Sequence, residues 1–109
     1  MTLDEGLAQR VRDQISDLAG YEEKRMFGGI GFLLRGNISC VVNKENLIIR
    51  VGPDYYQEAL SKPNVKVFDI TGRPMTGWIV VTEDGYQKDA DFQEWVDRGV
   101  TFALTLPVK

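Results

Sequence analysis

The sequence predicts an α+β fold, with an antiparallel five-stranded sheet covered mainly on one face by helices. Three observations carry this. Near both ends of the chain, apolar residues recur at three- and four-residue steps, the period of an amphipathic helix. In the middle they recur at two-residue steps, the period of strands with alternating faces. Short stretches rich in Gly, Pro and Asn divide that middle into a meander and a later pair of strands.

Thr2-Leu3-Asp4-Glu5 has the form of a capping box, in which Thr2 accepts from exposed backbone N–H groups and Glu5 reaches back to the amide of Thr2. Leu3, Leu7, Val11, Ile15 and Leu18 then form one stripe, and Gly20 is a natural stop, so the first helix is expected over about residues 3–19. From Arg25 the period changes to two. Met26, Gly28, Ile30, Phe32 and Leu34 fall on one face of a first strand, and Gly36-Asn37 reads as a two-residue hairpin turn. Ile38, Cys40 and Val42 share a face of the second strand. Asn43 to Asn46 makes another turn, and Leu47 to Val51 is the third strand.

Gly52-Pro53 opens a short helix with Tyr56, Ala59 and Leu60 on its apolar side, and Pro63 closes it. Val65 to Ile70 and Trp78 to Thr82 are the fourth and fifth strands. Between them, residues 71–77 carry too much glycine and proline to be regular, and Asp84-Gly85 ends the fifth strand. Asp89 is a suitable cap for a last helix with Phe92, Trp95, Val96, Gly99, Phe102, Ala103 and Leu106 as its buried stripe. The order α-β-β-β-α-β-β-α fits a single domain over residues 1–109.

Composition narrows the function. Histidine is absent, which removes the commonest general base and metal ligand, and Cys40 is the single cysteine. No intramolecular disulfide can form, and an ordinary structural zinc site is excluded. No cofactor is expected. The first residues carry Asp4 and Glu5 without an apolar run of signal-peptide length, and no stretch is apolar enough to span a bilayer, so a cytoplasmic location is expected. The net charge of −3 is unevenly distributed: residues 1–23 hold two basic and six acidic side chains, residues 24–73 eight and four, and residues 74–109 three and six. A basic middle between acidic ends permits a local anion site while arguing against non-specific nucleic-acid binding by the whole surface.

The run Met26 to Phe32 is glycine-rich, yet a dinucleotide fingerprint needs a strand before its glycines and a helix after them. Here the order is reversed, and the alternative is a strand whose glycines permit a bulge or close packing. Cys40 lies among apolar strand residues and reads as a buried, inert thiol. Four arginines draw more interest: Arg25, Arg35, Arg50 and Arg73. Arg50 has the parity of Ile48 and so points away from Leu47, Ile49 and Val51, toward the open face of a half-covered sheet. Paired guanidinium donors suit a carboxylate or phosphate. The candidate binding residues are therefore Arg25, Gly28, Gly29, Arg50 and Arg73; a solvated face with Asp69 or Glu45 as ion partners is the alternative. Trp78 and Trp95 read as core or half-core aromatics, and one of Tyr55 and Tyr56 is expected to be exposed. Paired carboxylates, Asp13 with Asp17 and Glu94 with Asp97, fall on outward helix faces.

Three blocks carry a family resemblance. They are Lys24-Arg25-Met26-Phe27-Gly28-Gly29-Ile30-Gly31-Phe32, Leu47-Ile48-Ile49-Arg50-Val51-Gly52 and Phe68-Asp69-Ile70-Thr71-Gly72-Arg73-Pro74-Met75-Thr76-Gly77-Trp78, with Trp95-Val96, Gly99, Phe102-Ala103 and Leu106-Pro107 after them. Together these resemble the N-terminal domain of the TfoX/Sxy competence-regulator family. The resemblance implies a bacterial regulatory domain with a two-layer α/β sandwich similar to that of secretion chaperones. Full-length regulators of the family act on competence genes alongside the cyclic-AMP receptor protein and carry a second, helical domain. This chain ends before such a domain begins, so a stand-alone copy of the N-terminal domain is expected. The family supplies no catalytic residues to carry over.

The expected function is a non-enzymatic regulatory module that binds another protein, or a second copy as a homodimer. A small-anion or nucleotide module built on the central arginines is the alternative. Direct nucleic-acid binding is not expected. An enzyme would have to rely on Lys24, a carboxylate or Cys40.

Overall fold

The computed structural model describes residues 5–26, 28–69 and 72–109. In chain order the elements are α1 (Glu5–Ile15), β1 (Tyr21–Met26), β2 (Gly29–Leu34), β3 (Asn37–Asn43), β4 (Asn46–Arg50), α2 (Tyr56–Leu60), β5 (Val65–Asp69), β6 (Pro74–Val81), α3 (Glu83–Tyr86) and α4 (Asp89–Thr105). The strands form one sheet in the order β1-β2-β3-β4-β6-β5, with every neighbouring pair antiparallel. The fold is α+β, broadly a two-layer sandwich, with six strands where five were expected. The capping residues Thr2 to Asp4, Phe27 of the glycine-rich run, and Ile70 with Thr71 lie outside the described residues.

The extra strand comes from the glycine-rich run. Met26 pairs with Gly29, so the chain reverses there instead of extending, and Gly28 takes φ +74, a left-handed value that costs glycine little. The strand before the turn, Tyr-Glu-Glu-Lys-Arg-Met, has four exposed charged residues in its interior and no apolar alternation by which to recognise it. The reversal also separates residues expected on one face. Ile30 and Phe32 enter the main core, whereas Met26 joins a second cluster on the opposite side.

That main core lies between the sheet and the helices. Across the sheet, Ile30, Val42, Leu47 and Val81 form one paired row, and Phe32, Cys40, Ile49 and Ile79 the next. Leu7, Val11 and Ile15 of α1, Tyr56 and Ala59 of α2, Tyr86 of α3, and Phe92 and Val96 of α4 pack against them. Helix α1 ends at Ile15, earlier than its apolar stripe suggested, and Leu18 is left exposed.

Between Phe32 and Leu33 the β2–β3 register shifts, leaving Ser39 as the extra residue of a bulge. Its buried hydroxyl donates to the Phe32 carbonyl at 2.9 Å. The bulge moves Ile38 to the face opposite Cys40, overturning the expectation that they share one. It also fixes the approach of α4: a Cβ on Gly99 would lie 2.4 Å from the Ser39 carbonyl oxygen, so only glycine fits there.

The β2–β3 turn falls one residue earlier than expected. Arg35 and Gly36 both have positive φ, and Leu34 pairs with Asn37. Asn37 is instead a buried anchor whose amide donates to the Pro107 carbonyl at 2.8 Å, tying the chain end to this hairpin. Asp89 does not cap α4; that position is Lys88, and the Asp89 carboxylate accepts from Arg10 at 3.1 Å. The short α3 replaces an expected turn, and its Tyr86 hydroxyl donates to the Glu45 carbonyl at 2.6 Å.

Candidate functional site: the open face of the sheet

The main-core residues of all four helices pack on the same side of the sheet. The other side carries its own, smaller apolar cluster. Val41, Ile48, Val80 and Phe68 are buried there, with half-buried Met26, Ile38, Met75 and Trp78 packed over them. Because successive strand residues alternate faces, this second cluster uses the residues that lie between the main-core residues on the same strands: Val41 between Cys40 and Val42, Ile48 between Leu47 and Ile49, and Val80 between Ile79 and Val81.

One row of the open face runs Lys24, Gly31, Val41, Ile48, Val80, Lys66 across the sheet. Its centre is apolar and each end is an exposed lysine. The Met26 side chain lies over Gly31: a Cβ on that glycine would sit 2.3 Å from the Met26 Sδ. On the far side, Phe68 and Trp78 pack with ring centroids 5.9 Å apart and tilted by 36°. Two methionines and a tryptophan at a half-exposed surface give it adaptable, polarizable contacts.

Arg50 pairs with Trp78 in the β4–β6 ladder and has the open-face parity expected of it. Its guanidinium lies 5.3 Å from the centroid of Trp78 and 5.3 Å from that of Phe102 on α4, where the two layers meet at the end of the sheet. Neither Asp69 nor Glu45 forms an ion pair with it. Among the described residues the ion pairs are Arg10 with Asp89 and Arg12 with Glu23. Burial lowers the Arg50 pKa from its ordinary value, yet an arginine remains charged at neutral pH. A stacked guanidinium without a carboxylate partner is a preorganised donor for an incoming anion.

The structure does not bring the other candidates to Arg50. Arg25 pairs with Ile30 and therefore points to the helix side, on the edge strand β1. Arg73 is exposed in the connection between β5 and β6, at the opposite edge. Gly28 makes the β1–β2 turn, and a Cβ on Gly29 would lie 1.9 Å from the Val42 carbonyl oxygen. These glycines have structural reasons to be glycine without a phosphate. Sequence parity set Arg50 on the open face, as the β4–β6 ladder does; it did not single out Lys24 and Lys66, which the strand register sets at the two ends of one row.

Other groups with chemical potential have local partners. The buried Cys40 thiol is pushed up to about 12 by burial, which keeps it protonated and unreactive. Glu23 accepts two bonds from Arg12, at 2.7 and 3.1 Å, and one from the Tyr21 hydroxyl. The Arg12 bond holds the Glu23 carboxyl below its usual range, while burial, followed by the Glu23 contact, raises the Tyr21 phenol. A cleft between α2 and α4 is lined by Tyr55, Lys62, Asp84, Glu94, Trp95 and Arg98, and the Arg98 guanidinium stacks 3.7 Å from the centroid of the half-buried Tyr55. Tyr56 is the buried member of that tyrosine pair. Among the described residues, no three acidic or thiol side chains cluster closely enough to hold a metal ion, and no helix is long and apolar enough to cross a membrane.

Comparison with known proteins finds a family match. The model of the TfoX N-terminal domain matches residues 13–103, from within α1 to the last turns of α4. Among curated proteins, none matches the chain.

Proposed function

Because the chain belongs to the TfoX N-terminal domain family, we propose that it is a non-enzymatic regulatory module that binds another protein through the open face of its sheet. The observation that carries this reading is the asymmetry of the sheet. One face is covered by helices, while the other presents half-buried Met26, Ile38, Met75 and Trp78 with lysines at both ends. A surface with an apolar, aromatic and methionine-bearing centre and a polar rim has the anatomy of a protein interface.

Arg25 and Arg73 lie at opposite edges of the sheet, and Arg25 is on the other face from Arg50, which removes the converging arginine cluster that a small-anion module requires. Placing a photo-crosslinking residue at Lys24 or Lys66, and as controls at Gln93 or Thr101 on α4, tests the docking reading in extract of the source cell. One and the same protein captured from both open-face positions, and from neither control, is the expected result. Capture confined to the α4 positions would overturn it.

A further inference from the structure

The chemistry of the open face selects the kind of partner, and the inference rests on its being the docking surface. We infer that its occupant is an acidic amphipathic helix supplied by a different protein. In this complex the apolar stripe of the helix lies over Met26, Met75 and Trp78, its carboxylates meet Lys24 and Lys66 at the two ends, and one carboxylate pairs with Arg50.

Charge carries the first part. Lys24, Lys66 and Arg50 share the open face with a single acidic strand residue, Glu22, which has the parity of Lys24. Asp69, at the rim beyond Phe68, is engaged with the backbone N–H of Gly72 at 2.6 Å. By contrast, α3 and α4 carry Glu83, Asp84, Asp89, Asp91, Glu94 and Asp97 against one basic residue, Arg98. The molecule therefore has a basic side and an acidic side, and the basic side is the one without a helix layer. An acidic segment is steered toward it and a basic one is repelled.

Dimensions and edges carry the second part. Six strands spaced about 4.8 Å apart set the lysine-bearing ends of the row roughly 24 Å from each other. At about 1.5 Å per residue, that is the length of a helix of roughly 16 residues, close to the 17 residues of α4 on the covered face. Strand addition is disfavoured at both edges. Consecutive charges Glu22, Glu23, Lys24 and Arg25 occupy β1, and the β5–β6 ladder is irregular between Val67 and Asp69.

A second copy of the chain is a poorer occupant. Two open faces together would oppose Lys24, Lys66 and Arg50 to their own copies. The acidic helix of a second copy, α4, already spends its apolar stripe of Phe92, Val96 and Ala103 on its own core. It has no second stripe to offer.

The test is a selection of displayed 16-residue helices, randomised at surface positions, against the immobilised full chain. The expected winners carry apolar residues at i, i+3 or i+4, and i+7, flanked by Asp and Glu. Their affinity falls at least tenfold in the Lys24→Glu/Lys66→Glu variant and in Arg50→Glu, and is unchanged in Asp91→Lys on α4. Lys24 and Lys66 are exposed, so the double variant keeps the test valid if Arg50→Glu does not fold. Winners without acidic bias that nevertheless lose binding in Trp78→Ala would overturn the acidic partner and leave the docking face standing. Winners indifferent to all open-face variants would overturn both. Tighter binding of a single-stranded 20-mer oligonucleotide than of any acidic helix, lost in the lysine double variant, would replace the helix with nucleic acid. Concentration-dependent dimerisation lost in that same variant would replace it with a second copy.

Discussion

The two faces of one sheet are built from alternate residues of the same strands, yet they are closed in different ways. On the covered face, Phe32, Cys40, Val42, Leu47, Ile49, Ile79 and Val81 are completely buried under helices. On the open face, the central Val41, Ile48 and Val80 are sheltered by their own neighbours, and Met26, Ile38, Met75 and Trp78 form the surface. The covered face is closed by backbone as well as side chains, as the Gly99 contact with Ser39 shows. On the open face, the described contact over Gly31 is made by the flexible Met26 side chain. Rigid closure suits stability, and deformable closure suits a surface that receives a partner.

The sharpest way to break this comparison is to truncate the covered face. Phe32→Ala removes a fully buried ring beneath the helices and is expected to lower stability by about 3–5 kcal/mol, read by urea unfolding. A loss below about 1 kcal/mol would mean that the helix layer does not hold this core.

Two glycine-to-alanine changes compare the faces directly. At Gly99 the new methyl meets a backbone carbonyl, so Gly99→Ala is expected to cost about 1–3 kcal/mol through overpacking. Helix propensity alone predicts the opposite sign, a gain of about 1 kcal/mol. At Gly31 the three atoms nearest the new methyl all belong to the flexible Met26 side chain, which swings aside, and the expected cost is below about 1 kcal/mol. Equal effects of the two substitutions on thermal unfolding would erase the distinction between rigid and deformable closure.

The smallest effect lies at the rim. Glu23→Gln removes the bidentate pair with Arg12 and is expected to cost about 0.5–1 kcal/mol near neutral pH, since the pair is partly exposed. Its sign with pH follows from linkage. The Glu23 carboxyl is lowered in the folded chain, so its contribution is present above the ordinary glutamate value and is lost as pH falls through the folded one. The stability gap between wild type and Glu23→Gln should therefore shrink on going from pH 7 to pH 3; a gap that widens would reverse the assignment.

Much of this was readable from residues. Helical and strand periods placed α2, α4, β4 and the second half of β6, and the parity of Arg50 against Leu47, Ile49 and Val51 put it on the open face. Residues 74–77, which read as irregular for their Pro and Gly, instead form the first half of β6 at the edge of the ladder with β5. Where the reading failed, backbone devices outweighed periodicity. The β1 strand carries no apolar alternation because it is a charged edge, so the turn at Gly28 looked like the interior of a strand. The bulge at Ser39 exchanged the faces of Ile38, which a strict two-residue period cannot express. The candidate site was only partly readable: Lys24 and Lys66 lie 42 positions apart in sequence, and only the register of five strand pairs sets them in one row.

The most direct measurement pairs stability with partner capture in the Lys24→Glu/Lys66→Glu variant. Both lysines are exposed, so unfolding should stay within about 0.5 kcal/mol of wild type, while photo-crosslinking to the partner from a residue placed at Met75 on the open face is lost. Capture that survives this reversal, and disappears instead when Asp91 and Glu94 of α4 are changed to lysine, would contradict the assignment of docking to the open face.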